Sequence, residues 1–180
     1  MKKILFISAF ALCTFLACSD KKEAGMSDAT KKNMEANDAI MKMFETADWS
    51  KVGDYIANDA VDYAGPKGKV VGLDSIKANF NMMTQMMTNM KNDVIKTLAD
   101  DEYVMTWLKG TGTAKVDIPE WGMKAGQTHT GNSIEVSKFK DGKVVEHWSF
   151  MDPAEMMAMM GGTPPAAPDM TQPVKDTTSK

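Results

Sequence analysis

The chain contains no arginine. All 21 of its basic residues are lysine, set against 24 aspartates and glutamates. Tracking a phosphate backbone needs clustered positive charge and base readout favours the guanidinium, so nucleic acid is a poor partner for this composition. The forked donor best suited to carboxylates and phosphates is missing as well. Histidine is limited to His129 and His147, and cysteine to Cys13 and Cys18. Both cysteines lie near the N-terminus, which leaves the body of the chain without a disulfide framework, a thiolate zinc site or a cysteine nucleophile. The two histidines are far apart and carry no His-x-Glu or Glu-x-x-His spacing, so no metal site is read. The longest apolar run, Ile4 to Ala17, is shorter than the roughly 20 residues that span a bilayer. No repeat of solenoid length is present.

That apolar run follows Met1-Lys2-Lys3 and reads as an export signal over residues 1–17. Phe15-Leu16-Ala17-Cys18 resembles a bacterial lipobox. The resemblance implies cleavage before Cys18, lipidation of that cysteine, and a protein anchored by lipid to a membrane of the bacterial cell envelope. Cys13 suits cleavage less well, because bulky Leu12 precedes it. An ordinary secretory signal ending beside Cys18 is the alternative. Residues 18–26 are polar and form a tether that buries no core. At the other end, residues 161–180 are rich in Pro, Thr and Lys and lack periodicity, which reads as a disordered tail. One domain is left, over 27–160.

Within it, Ser27 caps a first helix with Met34, Ile40, Met41, Phe44 and Ala47 at helical spacing. After a break at Asp48-Trp49-Ser50, a short helix carries Val52, Tyr55 and Ile56. Short strands follow at Ala60–Tyr63 and Val70–Val71. Leu73, Ile76, Phe80, Met83, Met87 and Met90 then make one apolar stripe, predicting a long third helix of five turns. Strands are predicted at Val94–Leu98, Tyr103–Thr113, His129–Lys140 and Lys143–Met151, with Asp141-Gly142 as a tight turn and 116–127 as a long hairpin loop. Helices followed by an antiparallel meander give an α+β fold, with the helices on one face of a curved sheet.

Three segments resemble the SnoaL-like branch of the NTF2-like superfamily: Ala47–Val61 around Asp48-Trp49-Ser50, Gly68–Ile76, and Lys138–Asp152 through Asp141-Gly142 and Glu146-His147-Trp148. The resemblance implies a cone, with a curved antiparallel sheet wrapped around the long helix and an apolar pocket at one end. It also implies chemistry, where there is any, by a pocket carboxylate or an Asp–His pair without a cofactor. One fold hosts many functions, so activity is read from the site.

On the last strand Glu146, Trp148, Phe150 and Asp152 share one face, and Val145, His147, Ser149 and Met151 the other. If Trp148 and Phe150 line the cavity, Glu146 is the pocket carboxylate and the first candidate acid or base. The plainer reading is a sheet glutamate paired with a neighbouring strand. Asp152 is a second candidate, although Asp152-Pro153-Ala154-Glu155 is also the start of a capped helix. His129 is a third, able to pair with Glu146 across the sheet mouth or to sit solvated beside a loop. Met83, Met87, Trp107 and Trp148 are the expected apolar lining.

Methionine is abundant, with 18 in the chain. Soft thioethers suit Cu(I), but unbranched methionine also fills irregular cores and adapts to ligands. The preferred expectation is an envelope lipoprotein that binds a small hydrophobic molecule without catalysis. The alternative is a cofactor-free isomerase, cyclase or dehydratase, and copper binding is a minor third. A homodimer through the sheet is the expected protein partner. A carboxylate and a histidine within hydrogen-bond reach on the cavity side would favour the enzyme.

Overall fold

The structure, a computed structural model, describes residues 25–65 and 68–159. The signal over 1–17, Cys18 with most of its tether, and the tail over 161–180 lie outside the described residues. The elements in chain order are α1 (Asp28–Thr46), α2 (Val52–Tyr55), β1 (Ile56–Asp62), β2 (Val70–Val71), α3 (Leu73–Met86), β3 (Met87–Ala99), β4 (Tyr103–Ala114), β5 (Thr128–Lys140), β6 (Lys143–Met151) and α4 (Pro153–Met159). One six-stranded sheet has the order β2-β1-β6-β5-β4-β3. The predicted meander β3–β6 is antiparallel throughout, but β1 lies parallel to β6, so the sheet is mixed.

Turn chemistry fixes much of this. Ser27 Oγ accepts from Thr30 N–H at 3.0 Å and caps α1. Asp141 and Gly142 both have positive φ, 55° and 78°, the conformation that a two-residue hairpin between twisted strands requires. The predicted loop between β4 and β5 contains a 3-10 turn at Pro119–Trp121, and its Ile118 and Met123 are buried.

Two expectations fail in an informative way. The longest helix is α1, with 19 residues, not α3, with 14. The methionine stripe continues past the end of α3, but Met87 and Met90 belong to β3, where Met87 pairs with Ala114. A register shift follows at once, and Asn89 within it takes φ 51°, a left-handed conformation that asparagine tolerates. Sheet pairing overrides the helical period there.

The main core joins Ala36, Met43, Trp49, Val52, Ile56, Ala60, Ile76, Phe80, Val104, Phe139 and Val144. Phe44, Trp49 and Phe80 pack ring against ring, with centroids 4.7 to 4.9 Å apart. A second cluster gathers Met87, Ala114, Ile118 and Met123, with Met83, Met86, Met90 and Trp121 against it. This cluster packs beneath the β4–β5 loop, the gap-filling use of methionine. Helix α1 lies across the sheet on polar side chains. Asn37 Nδ2 donates to Thr106 Oγ1 at 3.2 Å, and Asn33 Nδ2 to Asp101 O at 3.0 Å.

Candidate functional site

Which sheet face is concave follows from β4. Val104, Thr106 and Leu108 are buried, and Thr106 meets α1, whereas Tyr103, Met105 and Trp107 are exposed. Residues directly opposite on adjacent strands share a face. Thr106 pairs with Glu135, Leu108 with Ser133 and Val104 with Ser137. Ser137 in turn pairs with His147 and Glu135 with Ser149. The concave row of β5 is therefore polar, and His147 faces inward with it.

This reverses the expected orientation of β6. Glu146, Trp148 and Phe150 lie on the outer face, with Phe150 57 % exposed. Glu146 faces Lys138 at 3.5 Å, and Trp148 stacks on Tyr63 with centroids 5.2 Å apart. Glu146 is thus a sheet glutamate paired with its neighbour strand, not a pocket carboxylate. Trp107, 48 % exposed, shares that outer face, while Met83 and Met87 belong to the second cluster. The four expected lining residues do not line one pocket. Asp152 Oδ1 accepts from Ala154 N–H at 2.7 Å and caps α4. His129 faces inward beside Gly131, so it cannot meet Glu146 across the sheet.

The residues that the fold brings together are Asp62, Glu135 and His147. His147 Nδ1 is 3.0 Å from Asp62 Oδ1, and its Nε2 is 3.2 Å from Glu135 Oε2. Glu135 Oε1 also accepts from Ser133 Oγ at 2.6 Å and from Ser149 Oγ at 2.9 Å. Asp62 Oδ1 accepts from Ala64 N–H at 2.9 Å. The side chains of His147, Glu135 and Asp62 are 29, 21 and 11 % exposed, so the group is partly shielded with His147 the most open.

The electrostatics follow from that enclosure. Burial opposes charge on the imidazole, but the hydrogen bonds and charges of Asp62 and Glu135 outweigh it and raise His147 to about 9. Burial likewise pushes both carboxyls up, yet the His147 hydrogen bond and charge hold Asp62 and Glu135 below their ordinary values. Near neutral pH the cluster is an imidazolium donating to two carboxylates, with one net negative charge. Glu135, with about four lone-pair sites and three hydrogen bonds from His147, Ser133 and Ser149, keeps acceptor capacity for one more donor.

The sequence reading does not single out Asp62 or Glu135 and leaves open which face of β6 turns inward. A usable signal was present: Ser133, Glu135 and Ser137 alternate with Ile134, Val136 and Lys138, a polar row opposite a largely apolar one. Two surface depressions, of about 720 and 220 Å³, are lined by residues 25–27, 30 and 99–103 and by residues of the α1–α2 break, and neither touches the triad. Among the described residues no cluster of His, Cys, Asp and Glu suits a metal ion, and no helix is long and apolar enough to cross a membrane.

The comparisons agree with this fold. IdmH of Streptomyces antibioticus, assigned as a polyketide cyclase, superposes with a TM-score of 0.58 at 21 % identity, over 72 % of this chain and 98 % of its own. An LEH-like epoxide hydrolase of M. tuberculosis gives 0.61 at 13 % identity, over 74 % of this chain and 88 % of its own. An NTF2-like protein of unknown function from Burkholderia pseudomallei gives 0.59 at 19 %, over 72 % and 97 %. Identities this low establish the fold alone. No curated protein matches the chain. The family of SnoaL-like polyketide cyclases matches residues 34–160, well over half of the sequence, and the chain belongs to that family.

Proposed function

We propose that this protein is a cofactor-free acid–base enzyme working on a small organic substrate held against the concave face. The observation that carries the reading is His147 bridged between Asp62 and Glu135 on that face. Glu135 takes the substrate proton and returns it, while the His147 imidazolium, anchored through Nδ1 by Asp62, orients the carboxylate and stabilises its ionised form. Ser133 and Ser149 hold the Glu135 carboxylate in place. This departs from the preferred expectation of binding without catalysis, because a histidine and carboxylates within hydrogen-bond reach are what the enzyme reading required.

The test is solvent-deuterium exchange into a panel of enolisable cyclic ketones, followed by NMR. The parent should catalyse exchange in at least one member, and Glu135→Gln should lose about 10²–10⁴ of that rate. Equal rates in parent and variant would overturn the proposal. One feature favours a second reading, a binding module with a structural triad: both imidazole nitrogens already have partners. That reading expects ligand-dependent stabilisation retained in Glu135→Gln, without exchange in the parent.

The lipobox-like Phe15–Cys18 supports a lipid-anchored envelope protein. The outer face supports a homodimer through the sheet. Met105, Val136 and Trp148 form one cross-strand row, and Trp107, Ile134 and Phe150 the next. Lys138, Glu146 and Tyr103 border these rows at one end and Lys109 and Asn132 at the other, the apolar centre and polar rim of a protein interface.

A further inference from the structure

Strand β6 ends at Met151, opposite Ser133. Beyond that point the edge of β5 has no strand beside it among the described residues, and α4 takes its place. Glu155 reaches from α4 to that edge, where its Oε2 accepts from Asn132 N–H at 2.7 Å and its Oε1 from Asn132 Nδ2 at 2.9 Å. Little else described holds the helix, since Met156 and Met157 are 47 and 37 % exposed. Beneath it lies a cost. The Nε2 of His129 is buried without a hydrogen-bond partner, a state that is unfavourable by about 1–3 kcal/mol. His129 and Glu155 converge on Gly131: a Cβ there would lie 2.9 Å from His129 Nε2 and 3.3 Å from Glu155 Oε2.

We propose that α4 is a lid, hinged at Asp152-Pro153 and latched by Glu155 on Asn132, which covers the end of the concave face at His129 and Gly131. The latch is polar and the covered imidazole is unpaired, so the closed state is held by a small margin. The lid stands at one end of an inward row, His129, Gly131, Ser133 and Glu135. Gly131 and Glu135 are four residue steps apart along the strand, roughly 13 Å at the usual rise. Gly110, paired with Gly131, also lacks a side chain, so this stretch forms a low floor between lid and triad. Opening presents the His129 nitrogen to a hydroxyl or carbonyl group entering along that floor. As a route to the reactive end the lid rests on the proposed function; its hinge and latch do not.

Two measurements on the full chain test it. Hydrogen–deuterium exchange should show α4 amides exchanging at least roughly tenfold faster than those of central β6, as local opening predicts. Glu155→Ala should remove the remaining protection of α4 and leave β6 unchanged, with Asn132→Ala intermediate because the backbone N–H stays. His129→Leu, which removes the unpaired nitrogen, should slow α4 exchange. Carbethoxylation of His129, followed by peptide mass spectrometry, should accelerate in Glu155→Ala. Exchange of α4 matching that of β6 in the parent, or a His129 rate unmoved by Glu155→Ala, would overturn the lid. Ketone exchange equal in the parent and Glu135→Gln, with these α4 responses kept, would sink the enzyme reading alone.

Discussion

Asp62 and His147 sit side by side in the one parallel pairing of the sheet, and their side chains close to 3.0 Å on its concave face. Tyr63 N–H donates to His147 O at 2.8 Å, so the backbone next to Asp62 fixes the strand that carries the imidazole. Removing the Asp62 charge should therefore change the ring's ionisation without moving the strand. In Asp62→Asn the His147 pKa should fall from about 9 toward 6.5, read by NMR of the imidazole carbons. A value that stays near 9 would leave Glu135 as the sole stabilising partner.

The same cluster sets a pH dependence of stability. The folded pKa of His147 lies above its ordinary 6.5, so its contribution is complete below 6.5 and is lost as pH rises through about 9. Asp62 and Glu135 are shifted down, so theirs is complete above ordinary carboxylate values and is lost as pH falls through the lowered ones. Urea midpoints should peak between pH 4.5 and 6.5 and decline from 6.5 to 9, as the unfolding free energy falls by on the order of 3 kcal/mol in the parent. In His147→Gln that alkaline decline should disappear.

Phe80 is 9 % exposed and packs on Phe44 and Trp49. Phe80→Ala should cost about 3–5 kcal/mol in chemical denaturation. Asn79→Ala, one position round α3, should stay within about 0.5 kcal/mol.

Asn37 and Thr106 are buried polar partners between α1 and β4. Asn37→Ala should destabilise by about 1–3 kcal/mol, because Thr106 Oγ1 loses its donor. The double change Asn37→Leu with Thr106→Val should recover most of that loss, since neither buried group then lacks a partner.

On the outer face, Trp107→Glu with Phe150→Glu should convert a sheet-paired dimer to monomers in analytical ultracentrifugation while leaving the far-ultraviolet circular dichroism unchanged. Cys18→Ala should move the protein from the membrane fraction to the soluble exported fraction, and retention after a salt wash would count against lipidation.

Strands and tight turns were legible because their signals are local: Asp141-Gly142 and the alternation along β4 and β5 need no tertiary information. The end of α3 was not. Leu73 to Met90 keep a helical rhythm, and only pairing of Met87 with Ala114 shows where the helix stops. The site failed for a related reason. Alternation on β6 divides Glu146 from His147 correctly but does not say which set is inside, and the large rings of Trp148 and Phe150 pointed the wrong way. The deciding contacts are polar: α1 rests on β4 through Asn37 and on the β3–β4 turn through Asn33, residues that hydropathy ranks as surface. Val145, passed over where the β5–β6 register shifts, further obscures the pattern.

The parallel seam between β1 and β6 also governs when the triad can exist. Asp62 and His147 are 85 positions apart in the chain, whereas the hairpins of the meander join near neighbours. Synthesis runs from the N-terminus, so Asp62 emerges long before its partner, and the helices and first strands can collapse around an edge that is still waiting for its strand. Contacts of such long sequence separation carry a loop-closure cost and tend to form late. A nascent chain stopped before β6 would hold most of the aromatic core and both carboxylates but not His147, so the Asp62–His147–Glu135 cluster is among the last parts of the domain to assemble.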